Sequence, residues 1–196
     1  MKSIAILLGA ASILVATPSL AASGGGVALE DTAATLAPSN WVWNDKGGDG
    51  PLQIVVSLPD QRAYVYRGAK MIAVSSISSG RDGKETPVGI YPILQKQVDH
   101  KSTIYDAAPM PFMERLTWDG VALHAGSTPG YRDSHGCVHL PVAFAKKLYG
   151  ATTVGTVVSV IDTSVVATDP SMLPPDPAID EQETADANAT VLASAD

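Results

Sequence analysis

Three short runs decide the fold. They are Ile54-Val55-Val56-Ser57-Leu58, Ala63-Tyr64-Val65-Tyr66 and Met71-Ile72-Ala73-Val74, separated by Pro59-Asp60 and Arg67-Gly68. Each run is rich in β-branched and aromatic residues, and each break carries a turn-forming pair. Runs this short, at this spacing, predict neighbouring strands with tight connections. Further along, Gly89-Ile90-Tyr91-Pro92-Ile93, Gly120-Val121-Ala122-Leu123 and Thr156-Val157-Val158-Ser159-Val160-Ile161 repeat the pattern, and Gly80-Arg81-Asp82-Gly83 adds another turn. The expectation is a mainly β domain, a sandwich or a barrel-like sheet, rather than βαβ units.

One short helix is predicted after this set. Pro141 suits its first turn, Val142, Ala145 and Leu148 or Tyr149 fall on one face, and Gly150 can end it. Lys146 and Lys147 sit near its C-terminal end, where cations suit the helix dipole.

Outside this region the character changes. Met1-Lys2-Ser3 precedes an apolar run from Ile4 to Ala16, and small residues stand at Ser19 and Ala21. That pattern reads as a secretory signal over residues 1–21, cleaved after Ala21. The run is short of the roughly 20 apolar residues that a membrane span needs. Residues 22–50 are small and polar apart from Trp41-Val42-Trp43. They read as a linker whose tryptophans dock on the domain or on a partner, with the domain's own surface preferred. Residues 163–196 hold four prolines and seven acids and have no Lys or Arg. Such a segment cannot bury enough apolar surface to offset chain entropy, so a disordered acidic tail is expected.

The whole-chain charge of −7, from 13 basic and 20 acidic residues, argues against a nucleic-acid binder. Its location matters more than its size. The tail carries all of it, whereas residues 51–162 hold 11 basic and 9 acidic residues. The predicted domain is therefore slightly basic, and an anionic substrate is compatible with it.

The chain has one cysteine, Cys137, so no intramolecular disulfide can form. An unpaired thiol in an exported protein is a candidate reactive group. It lies in Ser134-His135-Gly136-Cys137-Val138-His139-Leu140-Pro141, downstream of Leu123-His124-Ala125-Gly126. A thiol attacks as thiolate, and imidazole takes a proton near neutral pH. His124 ends an apolar run, and Gly126, Pro129 and Gly130 allow the chain to fold back beside it. Gly136 lets the backbone turn and aim amide groups at one point, as the oxyanion of acyl transfer requires.

Other readings of the same residues stay open. In an extended segment His135, Cys137 and His139 project from one face and, with His124, could ligate zinc, although one-residue spacings are not those of common zinc sites. A buried structural cysteine among exposed histidines is the plainest alternative. His100, among Asp99, Lys101 and Ser102, reads as a surface loop residue.

Ser134-His135-Gly136-Cys137-Val138, preceded by His124 and followed by Leu140-Pro141, resembles the signature of the L,D-transpeptidase catalytic domain, the YkuD family. The likeness extends to Ile54–Ser57 and Gln61–Tyr66, to Ser79-Gly80 with Glu85-Thr86-Pro87-Val88-Gly89-Ile90-Tyr91, and to Met110-Pro111-Phe112-Met113 with Leu116 through His124. It spans about residues 51–162.

The resemblance implies a mostly β domain that remodels bacterial peptidoglycan in the periplasm or cell-wall space. It also implies cleavage of an L,D bond in a tetrapeptide stem, release of D-alanine and transfer of the acyl group to an amine. By position, Cys137 is the nucleophile and His124 the general base, with the Ala125 carbonyl holding the imidazole tautomer. Amides around His135, Gly136 and Cys137 form the oxyanion hole, with Ser134 and the His135 ring supporting the loop. No metal or organic cofactor is implied, and the partners are stem peptides, neither nucleic acid nor membrane.

Two positions depart from the family pattern. His139 stands where most relatives have Arg or Asn, and is the candidate substrate-binding residue. Ala125-Gly126 replaces the commoner glycine directly after the base. An arginine at 139 could grip a carboxylate bidentately, whereas neutral histidine cannot. Hydrolysis by the same pair, as in an L,D-carboxypeptidase, is the nearest alternative. A non-catalytic wall-binding or zinc-binding module is a third.

Overall fold

A computed structural model describes residues 29–47 and 49–165. The predicted signal peptide and most of the acidic tail lie outside the described residues. Among the described residues the order is α1 (Leu29–Thr35), β1 (Trp41–Trp43), β2 (Leu52–Ser57), β3 (Arg62–Arg67), β4 (Lys70–Ser76), β5 (Gly89–Pro92), β6 (Gln95–Lys101), β7 (Pro109–Arg115), β8 (Ala122–Ala125), β9 (Val138–Leu140), α2 (Val142–Ala151) and β10 (Val157–Ile161).

The strands form two sheets. The larger runs β1-β4-β3-β2-β10-β5 and the smaller β6-β7-β8-β9. Pairing is antiparallel except at β10–β2 and β8–β9, which are parallel. The mainly β, two-sheet reading holds.

The larger sheet is buried on both faces, which explains why its strands are unbroken apolar runs rather than alternating ones. Ile54, Val56, Ala63, Val65 and Ile72 point into the main core, where Leu123, Val138 and Leu140 of the smaller sheet and Phe144, Ala145 and Leu148 of α2 meet them. Val55, Tyr64, Tyr66 and Val74 point the other way and are covered by Ala33 and Leu36 of the N-terminal segment.

That covering corrects the linker expected at 22–50. Within it, residues 29–35 are a helix, and Trp41–Trp43 is an edge strand paired with β4 through Trp41↔Ser75 and Trp43↔Ala73. The tryptophans do dock on the domain: their rings lie 5.9 and 5.8 Å from that of Phe144. Val42 turns to the opposite face, against the second core. Trp41–Trp43 is only three residues long, too short to advertise itself as a strand, and only tertiary pairing makes it one.

Three strands escaped the sequence pattern for different reasons. β6 is largely polar and exposed, β7 contains Pro109 and Pro111, and β9 is hidden inside the Cys137 motif. His100 therefore belongs to β6 and not to a loop. The strand expected at 120–123 runs from Ala122 to Ala125, because Gly120 (φ +113°) belongs to the preceding turn.

The predicted helix is α2. Its buried residues are Phe144, Ala145 and Leu148, while Val142 is exposed, and it runs through Gly150 to Ala151. Lys96 replaces a glycine cap, its ammonium donating to the carbonyls of Tyr149 and Thr152 at 2.6 Å each.

The first three residues assigned to the tail are bonded to the domain. The Thr163 carbonyl accepts from Ser57 Oγ at 2.8 Å, and Ser164 Oγ and the Val165 amide both donate to the Asp60 carboxylate.

Candidate active site

The parallel pair β8–β9 places the chemistry. Leu123 pairs with Val138, His124 with His139 and Ala125 with Leu140. Leu123, Val138, Ala125 and Leu140 point into the core. By strand alternation His124 and His139 project from the opposite face. Cys137, one residue before β9, packs against the cluster of Met110, Met113 and Ala122 on that same face. The three side chains line one cavity of about 340 Å³ with Tyr105, Met110 and Gly120.

His124 is 6% exposed, and its Nδ1 donates to the Ala125 carbonyl at 2.9 Å. A carbonyl only accepts, so the proton sits on Nδ1 and the lone pair on Nε2. Burial, then the neighbouring His139, pulls the His124 pKa down to about 4, against the raising effect of that carbonyl. Burial pushes the Cys137 thiol up, with the Ala122 amide and the Arg115 charge opposing it. The thiol points to the Gly120 carbonyl, 3.5 Å away. At rest both groups are therefore neutral.

The loop carrying Cys137 is fastened from beneath. Gly136 adopts φ +118°, the left-handed conformation that favours glycine. Its amide donates to Ser134 Oγ at 3.1 Å, and that hydroxyl donates to the Cys137 carbonyl. The Gly136 carbonyl accepts from Thr86 Oγ1 at 2.9 Å, which in turn accepts from the Gly80 amide at 2.9 Å. A Cβ on Gly80 would stand 1.9 Å from the Lys84 carbonyl, so the turn that presents Thr86 has no room for a side chain there. Ser78 exchanges two backbone bonds with His139, at 3.1 and 2.9 Å. Gln61 in turn grips Ser79, through its amide at 3.0 Å and its hydroxyl at 2.7 Å.

His135 sits apart from the other two histidines. It is exposed at the cavity mouth, Arg81 donates to its Nε2 at 2.8 Å, and the Tyr105 ring lies 4.8 Å away. Among the described residues no three His, Cys, Asp or Glu side chains are gathered as a metal-ligand set. The His139 ring stands edge-on to His124 with centroids 4.8 Å apart. Its other side lies on Gly126, where an added Cβ would come within 2.7 Å of His139 Cγ.

A family model for the L,D-transpeptidase catalytic domain, YkuD, matches residues 51–160. The chain belongs to this family. Among solved structures, an L,D-transpeptidase from Stackebrandtia nassauensis is similar at 28% identity and TM-score 0.53, covering 61% of this chain and 60% of that one. A cysteine-to-serine mutant of an L,D-transpeptidase from Enterococcus faecium is also 28% identical, with TM-score 0.52, covering 58% and 50%. An L,D-transpeptidase from Mycobacterium tuberculosis shares the fold at 23% identity and TM-score 0.54, covering 57% of each chain. This chain thus spans three fifths or less of the length of each. No curated protein sequence matches it.

Within this L,D-transpeptidase domain, sequence reasoning missed the groups that act on the Cys137 loop from a distance. Thr86 was visible only as part of a family-like segment, and nothing local told that its hydroxyl reaches Gly136, fifty residues on. Gln61 and Arg81 were visible only as parts of a family-like segment and a turn, and Tyr105 not at all, since each acts through a long-range contact.

Proposed function

We propose that this chain is an exported cysteine L,D-transpeptidase acting on peptidoglycan stem peptides. One observation carries the reading: His124, with Nδ1 fixed on the Ala125 carbonyl, shares a face and a cavity with Cys137. Export rests on the leader over residues 1–21.

Because the resting pair is neutral, the thiol gives up its proton as it attacks and not before. His124 Nε2 takes that proton while Sγ bonds to the carbonyl carbon of the L,D bond. The carbonyl oxygen becomes an oxyanion. The Gly136 amide is already committed to Ser134 Oγ, so the amides of His135 and Cys137 are assigned to the oxyanion. On collapse the C–N bond breaks, the imidazolium returns its proton to the departing D-alanine amine, and a thioester remains. An acceptor amine then attacks the thioester, His124 takes its proton, and thiolate departure followed by reprotonation regenerates Cys137. The product is a 3→3 cross-link when the acceptor is another stem.

The neutral pair also suits a buried, apolar cavity, which disfavours a resting thiolate–imidazolium pair until substrate dipoles arrive. An L,D-transpeptidase similar at 24% identity has been solved in complex with imipenem, and a nucleophilic Cys137 would make this chain a carbapenem target too. The test is purified protein with tetrapeptide muropeptides, read by mass spectrometry. D-alanine release with new dimers is expected, together with a covalent carbapenem adduct, and both vanish in Cys137→Ala. Tripeptide alone, without dimers, replaces transfer by hydrolysis. Undiminished D-alanine release by Cys137→Ala overturns the mechanism.

A further inference from the structure

The face of the smaller sheet that carries Cys137 does not end at β8. Arg115 pairs with Ala122, and Glu114 with Leu123. Leu123 is core, so Glu114 points inward and Arg115 lies with Ala122 on the catalytic face. Met113, two residues before Arg115, touches the same cluster as Cys137 and confirms the parity. The irregularity at Phe112 (φ +56°) brings Met110 to this face too.

The surroundings of Arg115 are neutral. Its Nε donates to Gln95 Oε1 at 3.0 Å, one Nη faces His100 Nε2 at 3.5 Å, and its guanidinium stands 6.0 Å from the centre of the exposed Trp118 ring. His100 gives its Nδ1 proton to Gln97 Oε1 at 2.6 Å. Burial and the Arg115 charge hold the His100 pKa below the ordinary imidazole value, so it adds no second charge. Among the described residues the ion pairs are Arg67–Asp45 and Lys96–Glu114, and neither involves Arg115. Asp119 lines the catalytic cavity but is not within ion-pair distance of it. This leaves a half-buried guanidinium, oriented by neutral acceptors, with no anion of its own. Its field reaches the nucleophile, since it is one of the groups that act on the Cys137 thiol.

We propose that Arg115 holds the C-terminal carboxylate of the donor stem, the carboxylate of the D-alanine that departs. This deepens the transpeptidase reading and rests on it. That carboxylate lies three bonds from the scissile carbonyl carbon, so a donor seated on Cys137 carries it along the catalytic face toward β7. A guanidinium fork fits a carboxylate bidentately, which the neutral ring of His139 cannot do. Arg115 thus supplies from β7 the grip that an arginine at position 139 could provide from β9. The residue is specificity-determining: it selects donors that end in a free acid.

The experiment compares a tetrapeptide donor ending in D-alanine with the same peptide ending in D-alaninamide. The wild-type chain should favour the acid by roughly 10- to 100-fold in kcat/KM, the range of one charge-assisted contact. In Arg115→Gln that ratio should fall toward one, mainly through KM, and Arg115→Lys should keep part of it. Both peptides are also titrated by calorimetry against Cys137→Ala, with and without Arg115→Gln, so that the grip is read without turnover. Binding discrimination that disappears with Arg115→Gln sustains the assignment even where no D-alanine is released, and in that case only the transpeptidase reading falls. Turnover with an acid-to-amide ratio unchanged in Arg115→Gln overturns the assignment and leaves the reading intact. Thermal unfolding of Arg115→Gln within a few degrees of wild type shows that the change is not a loss of fold.

Discussion

Thr86 offers the sharpest test of how the catalytic loop is held. Its side chain is 3% exposed, and its single hydroxyl satisfies two backbone groups, accepting from the Gly80 amide and donating to the Gly136 carbonyl, each at 2.9 Å. Thr86→Val replaces that hydroxyl with a methyl of nearly the same size, so no cavity forms. What is lost is polar: two backbone groups keep their burial and lose their partner. At about 1–3 kcal/mol for each unsatisfied buried group, the sum is about 2–6 kcal/mol. Partial relaxation of the exposed turn at Lys84 should bring the observed value to about 3 kcal/mol, or a fall in Tm of about 10 °C for a domain of this size.

The functional loss is larger than the stability loss suggests. Freed from Thr86, the Gly136 peptide can rotate, and the next residue is Cys137. A displacement on the order of 1 Å at a reacting group costs about 100-fold in rate. Thr86→Ser separates the two effects. It keeps the hydroxyl and loses one methyl, at about 1 kcal/mol of burial. Thermal unfolding and the rate of carbapenem acylation, followed by mass spectrometry, read the two quantities side by side. Thr86→Ser should acylate near the wild-type rate, and Thr86→Val about 100-fold more slowly. Equal acylation by Thr86→Val and wild type, or equal damage from Val and Ser, refutes the argument that the hydroxyl sets the loop.

Three further outcomes follow from other contacts. His124 titrates near 4 in the fold and near 6.5 when unfolded, so the unfolded chain binds the extra proton first as pH drops. Stability should therefore be complete above about pH 6.5 and decline between there and pH 4, by about 3 kcal/mol from this residue, and His124→Gln should flatten that slope in urea titrations. Lys96 approaches the buried Glu114 at 3.5 Å, and Lys96→Met leaves that carboxylate without its cation. A loss of about 3–5 kcal/mol is expected by chemical denaturation, and a double change to Lys96→Met with Glu114→Gln should recover much of it. Gly126→Ala forces a methyl against His139 Cγ and should cost about 1–3 kcal/mol. A double-mutant cycle with His139→Ala should show that the two changes are strongly non-additive, whereas additive effects would mean that the rings do not meet as described.

The parts of the fold that were legible in the sequence are those whose neighbours are also their causes. β2, β3 and β4 are apolar because both faces of their sheet are covered, and that signal survives in any window of six residues. β6 and β7 belong to the sheet with one solvated face, and their polar residues and prolines carry no such signature. β1 exists only because β4 offers an edge and Phe144 offers a surface. The site divides in the same way. Cys137 and His124 could be named from residue chemistry, since only a few residue types perform that chemistry. Thr86, Gln61 and Arg115 act through register and reach, which no local pattern encodes.

The two departures from the family pattern turn out to be one. Taken separately, His139 and Ala125-Gly126 look like independent substitutions on facing strands. In the fold, position 139 is the cross-strand partner of His124, and its ring is sandwiched between His124 and the backbone of Gly126. A flat ring at 139 needs a residue without Cβ at 126, because any side chain there would displace it. Ala125 can then carry its methyl into the core while its carbonyl keeps hold of His124 Nδ1. His139 is thus fitted to its place as a wall against the base, and burial keeps it from adding a charge beside an imidazole that must accept one. A wall of that kind positions His124 but leaves the task of gripping a carboxylate to another residue. Arg115, unpaired on the same face, is the cation that the arrangement leaves for it.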